Sequence, residues 1–176
     1  MNKEKISLKD ITPEDVTTFK KELQEAFSLA VIDELGASPD EPIPDDDDLD
    51  NAINSPNSVV LRIISRNKKV GGAILSINKE TNENSLDFFF IKTGEHGKGL
   101  GRKAWFAIEV RYPDTKKWQT HTPYFEKRNI HFYVNICGFK IVEFFNQNHM
   151  DPNMPSSDNT PEIDEAFRFE KSMQSR

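Results

Sequence analysis

The feature that most constrains this chain is a turn paced by glycines, Gly94-Glu95-His96-Gly97-Lys98-Gly99-Leu100-Gly101-Arg102-Lys103. It lies between an apolar run, Leu86 to Ile91, that reads as a buried strand, and an amphipathic run, Leu100 to Arg111, that reads as a helix. A strand that turns through glycines into a helix aims several backbone N–H groups, and the positive end of the helix dipole, at whatever lies above it. Such a turn is a phosphate cradle. Glycines serve it because side chains would hold a pyrophosphate away from the backbone and because turns of this kind use positive φ. Arg102 and Lys103 add positive charge at the same end.

Spacing separates the kinds of phosphate loop that could own this turn. A nucleotide-triphosphatase loop needs Gly-x-x-x-x-Gly-Lys-Ser/Thr; Gly94 and Gly99 have the interval, but Leu100 and Gly101 stand where the lysine and the hydroxyl belong. A dinucleotide fingerprint is met loosely by Gly99-x-Gly101-x-x-Ala104, yet the next strand ends Gln119-Thr120-His121, without the acid that would bind a ribose. The third comparison fits. Ile91 followed by His96-Gly97-Lys98-Gly99-Leu100-Gly101 resembles the Gln/Arg-x-x-Gly-x-Gly/Ala turn of the GNAT superfamily of acetyl-CoA-dependent N-acetyltransferases, in which an apolar residue stands five before the Gln/Arg. A second segment, Asn129-Ile130-His131-Phe132-Tyr133-Val134-Asn135-Ile136-Cys137-Gly138-Phe139, resembles the part that closes the same superfamily's site. There a helix carrying Asn and Phe-Tyr runs into Gly-Phe and a final strand. The chain departs from the pattern twice: His96 takes the Gln/Arg position, and Glu126 stands seven before Tyr133, where many members have an Asn.

The resemblance implies an α/β (α+β) fold, a mixed, mostly antiparallel central sheet flanked by helices. In it the strand at Phe89 to Ile91 bends away from a parallel neighbour at Lys117 to His121. It implies acetyl-CoA as co-substrate, with its pyrophosphate on His96, Gly97, Lys98, Gly99, Leu100, Gly101 and Arg102. The pantetheine arm would meet the backbone of Phe89, Phe90 and Ile91, and Asn129. No metal takes part, and His131 and His149 lack metal-ligand spacing. Tyr133 is the expected proton donor to the departing thiolate, because a phenol of pKa near 10 is protonated at neutral pH. The plainer account of Phe132-Tyr133 is an aromatic pair that packs a helix on a sheet. For the base, Asp87 and Ser85 share a strand face with Phe89 and Ile91 by the two-residue period. His121 is a rival, and a base acting through water is a third option. A non-catalytic acyl-CoA-binding regulatory or sensory module is the alternative function.

Composition sets outer limits. A chain of 176 residues, 36% hydrophobic with 13 Phe, suits a single domain over residues 1–176. The apolar runs fall far short of the ~20 residues of a membrane span, and Met1-Asn2-Lys3-Glu4-Lys5 lacks the apolar core of a secretion signal. One cysteine permits no intrachain disulfide, which suits the cytoplasm. A net charge of -6 argues against nucleic acid or an anionic membrane as partner. An amine, on a small molecule or a protein terminus, is the natural one, and a homodimer is compatible with this surface.

Along the chain, Ile6 and Leu8 mark a short strand, and Thr12-Pro13-Glu14-Asp15 reads as an N-cap and first turn of a helix that ends at Leu35-Gly36. Asp45 to Asp50 either caps a short helix or overhangs the acceptor site. Ser58 to Ser65, Lys69 to Ile77 and Asn84 to Ile91 read as an antiparallel meander. A strand at Lys117 to His121, a helix near Lys127 to Ile136, a strand at Phe139 to Phe145, a polar loop from Asn146 to Pro161 and a last strand at Ala166 to Met173 complete the expectation.

Overall fold

The computed structural model describes residues 5–36, 40–152 and 165–174. Its strands are β1 (Ile6–Asp10), β2 (Ser58–Ser65), β3 (Lys68–Ser76), β4 (Glu83–Ile91), β5 (Lys117–Pro123), β6 (Lys140–Phe145) and β7 (Ala166–Ser172). They form one sheet in the order β1-β2-β3-β4-β5-β7-β6. Every neighbouring pair is antiparallel except β4 and β5. That pair is parallel because the glycine turn and helix α3 (Leu100–Arg111) carry the chain back across the sheet between them. The expected mixed, mostly antiparallel sheet flanked by helices is the fold observed.

Helices α1 (Val16–Leu35) and α2 (Asp46–Asn54) cover one face, where Phe19, Leu23 and Leu49 pack on Val60, Ile74 and Phe90. On the other face α3 buries Leu100, Ala104, Trp105 and Ile108 against Leu61, Ile63, Leu75, Leu86 and Trp118. Two cores therefore sandwich the sheet. At the start of α1 the Thr12 side chain makes no cap bond; a 3-10 turn at Pro13–Asp15 leads into the helix instead. Asp15 has a different task. The guanidinium of Arg62, 2% exposed on β2, donates to both Asp15 oxygens, at 2.6 and 3.1 Å, and to Glu22 at 2.6 Å, while lying 5.1 Å from the Phe19 ring centroid. A buried cation shared by two carboxylates fixes α1 on the sheet at one register. Gly72 allows the close approach: a Cβ there would sit 2.2 Å from the Phe19 ring.

The acidic run caps α2. The Asp45 carboxylate accepts from the Asp48 N–H at 2.8 Å, and Lys20 pairs with Asp50 at 2.8 Å and Asp46 at 3.7 Å. The helix expected over Lys127 to Ile136 is instead a short α4 (Lys127–His131) continued by a π-helical turn, Phe132–Cys137. The wide turn ends on Gly138 at φ 86°, and the Tyr133 carbonyl accepts from Gly138 and from Phe139, the latter at 2.9 Å. Such π turns concentrate at functional sites. Of the polar loop, Asn146 and His149 form an isolated bridge, and residues 153–161 lie outside those described.

Candidate active site

The glycine turn has the geometry a cradle requires. Gly94, Gly97 and Gly99 stand at φ 88°, 81° and 72°, in the left-handed region that other residues rarely adopt, and no heavy atom lies within 4 Å of where their Cβ atoms would be. Gly99 precedes α3 and no side-chain cap bonds to the start of that helix, at the positive end of its dipole. Gly101 serves differently: a Cβ on it would lie 3.2 Å from the Phe132 ring, so its smallness lets the segment around Tyr133 pack against the start of α3.

Side chains hold the turn in place. Glu95 is buried and bound by Lys68, at the start of β3, and by Lys98 at 2.8 Å. The two ammonium groups hold its carboxyl down to about 2. The Lys98 side chain is thus engaged with Glu95, while its backbone, the part expected at the phosphates, remains in the turn. The His96 ring is held below its ordinary pKa by partial desolvation and by Arg128, and the Ile91 carbonyl works in the other direction. It ties the turn to the end of β4 as a neutral imidazole. Arg102 lies on the surface over the Phe106 ring, 5.7 Å from its centroid.

Beneath the turn the sheet opens. β4 and β5 pair from Glu83↔Lys117 to Leu86↔Thr120, then run on to Ile91 and Pro123 apart. The Thr120 hydroxyl closes the apex by donating to the Leu86 carbonyl at 2.8 Å. A β-bulge lies at the same level: Leu75 pairs with Leu86 and Ile74 with Phe88, leaving Asp87 as the extra residue of β4. The bulge breaks the two-residue alternation. Leu86, Phe89 and Ile91 enter the core with α3 and Tyr133, whereas Phe88 and Phe90 turn to α1, Phe90 packing edge-on to Phe19 at 5.3 Å. The expectation that Asp87 and Ser85 share a face with Phe89 and Ile91 is therefore corrected. Asp87 is exposed, and its carboxylate accepts from Ser76 at 2.5 Å and Ser85 at 2.7 Å. Phe90 likewise borders the opening only through its backbone.

Phe89, Ile91, Leu100 and Tyr133 come together in one cluster, with Phe132 stacked on Phe89 at 5.5 Å. Tyr133 is 5% exposed, ringed by Phe132, Phe139 and Phe169, and the Thr120 hydroxyl lies beside its phenol. Burial, with the nearby Glu126 charge, pushes its pKa well above the ordinary value, so the phenol keeps its proton throughout the physiological range. Asn129, expected at the pantetheine arm, donates its amide to Glu126. Glu126, 3% exposed, is the group that periodicity alone did not bring to the site; its one sequence signal is a glutamate where many members carry Asn. His121 points from the exposed side of β5, stacked on Phe145 at 6.1 Å, with Asp151 at 4.0 Å. Burial lowers its pKa, Asp151 opposing. Cys137 is buried and its thiol is pushed up to about 12, which makes it inert. Among the described residues no group of three or more His, Cys, Asp or Glu side chains is placed to hold a metal ion, and no helix is long and apolar enough to cross a membrane.

Comparison with known proteins agrees with this geometry. The chain is 48% identical over 180 residues to the uncharacterized protein YrkN of Bacillus subtilis (strain 168), an alignment that covers 99% of this chain and 97% of that protein. Its fold matches a GNAT family acetyltransferase from Elizabethkingia anophelis with acetyl-CoA bound, at a TM-score of 0.66 and 14% identity over 97% of this chain and all of the other. It also matches spermidine N-acetyltransferase from Vibrio cholerae in complex with CoA and spermine, at a TM-score of 0.66 and 13% identity over 96% of this chain and 95% of that one. Folds of this shape thus hold CoA. Residues 19–139, which run from α1 through the cradle and Tyr133 to the Gly138-Phe139 turn, match the acetyltransferase (GNAT) family, and the chain belongs to that family of acyltransferases.

Proposed function

We propose that this protein transfers an acetyl group from acetyl-CoA directly to a primary amine. The observation that carries this reading is the divergence of β4 and β5 directly below an uncapped helix N-terminus built on three positive-φ glycines, with Tyr133 beside the apex. The cradle amides of Gly97 to Arg102 hold the pyrophosphate. The β5-facing edge of β4 beyond Leu86 leaves the ladder and offers backbone groups to the pantetheine arm; a backbone N–H near Phe89 to Ile91 polarises the acetyl carbonyl. Tyr133 donates its proton to the sulfur as the C–S bond breaks.

The acceptor is a cationic amine, on a small metabolite or a protein terminus. Support comes from the net charge of -6 and from Asp33 and Glu34, which end α1 next to the opening. A panel of diamines, polyamines, aminoglycosides and N-terminal peptides, assayed for CoA release with a thiol reagent, tests the reading. Release that depends on one class of amine supports it. Tight CoA binding without release from any amine would replace it with an acyl-CoA-binding module.

A further inference from the structure

We propose that Glu126 is the general base of this transfer, the group that takes the proton an acceptor ammonium must lose before its nitrogen attacks. The proposal rests on the acetyltransferase reading above. Glu126 stands in the bend between β5 and α4. Its N–H bonds to the Pro123 carbonyl and its carbonyl accepts from Ile130, both at 3.1 Å, so the backbone is fixed on either side while the side chain turns inward and is 3% exposed with its residue.

Its surroundings bring the carboxyl near the phenol. Glu126 lies within electrostatic reach of Glu34, at the end of α1, and of Tyr133. Helix α1 packs on one face of the sheet and Tyr133 belongs to the core on the other. A side chain within reach of both stands just beyond the end of β5, the strand that parts from β4 past Leu86. Asn129 supplies one hydrogen bond that orients the carboxylate. The charged or titratable groups that face it are Glu34 and the Tyr133 phenol; Lys127 and Arg128 beside it in the chain are exposed, Arg128 lying 3.8 Å from Asp33. No cation pairs with Glu126 among the described residues, so the Asn129 hydrogen bond is what opposes its taking up a proton.

Burial is the main cause that pushes this carboxyl up to about 7; Asn129 opposes and Glu34 adds to it. That value is matched to base catalysis near neutrality, since the carboxylate is present and still accepts a proton readily. The rivals are less well placed. Asp87 is exposed and engaged by two serine hydroxyls. His121 is stacked on Phe145 on the outer side of β5. The protons balance as follows. One N–H proton of the ammonium moves to the Glu126 carboxylate; the freed lone pair forms the C–N bond to the acetyl carbon, and the C–S bond breaks. The Tyr133 phenol protonates the sulfur, and the second N–H proton of the new amide restores the phenol. Glu126 releases its proton to solvent.

The test is a set of pH–rate profiles, from about pH 6 to 9, for CoA release by the wild type, Glu126→Gln, Glu126→Asp and Asp87→Asn, with acetyl-CoA affinity measured by calorimetry and folding by circular dichroism. The wild type should show an acid limb in kcat/KM with a midpoint near 7. Glu126→Gln keeps the size and the Asn129 contact; it should lower kcat roughly 10²-fold and abolish that limb, leaving acetyl-CoA affinity unchanged. Glu126→Asp should retain the limb at reduced rate, and Asp87→Asn should leave it in place. An unchanged limb in Glu126→Gln, or a loss confined to acetyl-CoA affinity, would overturn the proposal while the acetyltransferase reading stands. A wild type that binds acetyl-CoA but releases CoA to no amine would overturn both.

Discussion

Gly99 and Gly36 form a natural control pair for the cradle. They stand at φ 72° and 74°, neither has any atom within 4 Å of a would-be Cβ, and each flanks a helix, α3 at its start and α1 at its end. Replacing either by Ala imposes the same left-handed strain, about 1–2 kcal/mol. For a chain of this size that is a fall in Tm of roughly 2–8 °C. The two should therefore melt alike. They should differ in ligand binding, because only the Gly99 methyl group stands where the pyrophosphate would approach the amides. Loss of one charge-assisted hydrogen bond, worth about 1.5–3 kcal/mol, weakens affinity roughly 10- to 150-fold. Isothermal calorimetry with CoA should show that loss in Gly99→Ala and wild-type affinity in Gly36→Ala, and Gly99→Val should bind still more weakly. Equal affinities in Gly99→Ala and Gly36→Ala would refute the placement of the pyrophosphate on this turn.

Tyr133→Phe keeps the ring packing against Phe139 and Phe169 and should lower kcat about ten- to a thousand-fold at unchanged acetyl-CoA affinity; full activity in stopped assays would make the tyrosine structural. Glu95 has a depressed folded pKa, about 2 against 4.5, so its contribution is present above pH 4.5 and lost as pH falls toward 2. Thermal melts of Glu95→Gln should accordingly show lower stability at pH 7 and a shallower decline over that acid window than the wild type. Asp45→Ala removes the bond to the Asp48 N–H and should cost about 1 kcal/mol in urea titrations, without change in KM; a raised KM for a cationic amine would restore the acidic run as part of the acceptor site.

The cradle was legible because it is local: glycines at fixed intervals between an apolar run and an amphipathic one dictate a strand, a positive-φ turn and a helix end, and Gly97 and Gly99 take the φ values such a turn needs. The meander was legible for the same reason. The bulge at Asp87 was not, since the residues Leu86 to Ile91 alternate no differently from a regular strand, and the extra residue is created by its pairing with β3. The extra residue puts Leu86 on the face of Phe89 and Ile91, so Asp87 leaves that face, while Phe88 to Ile91 alternate as in a regular strand. The π turn was hidden too: a helical period of 3.6 predicts Tyr133 on a helix but not the wider turn that ends at Gly138. Glu126 stood in plain view as a departure from Asn. Its burial and its reach to both α1 and Tyr133 are tertiary facts that no local pattern carries.

Thr120 links the fold of the opening to its chemistry. Its hydroxyl donates to the Leu86 carbonyl and lies beside the phenol of Tyr133. The same contact that closes the strand pair at Leu86 therefore also stands beside the phenol proton that the proposed transfer uses. A thiolate formed in the opening is a far stronger acceptor than a neutral hydroxyl, and it would draw that proton outward without any movement of the backbone. In the proposed transfer Glu126, with no cation paired to it among the described residues, would be the base, and Tyr133, which burial keeps protonated, the acid. Burial thus raises both pKa values, and it has opposite uses for the two groups. For the carboxyl it moves a proton acceptor into the neutral range; for the phenol it prevents loss of the proton to solvent before a sulfur anion is there to claim it.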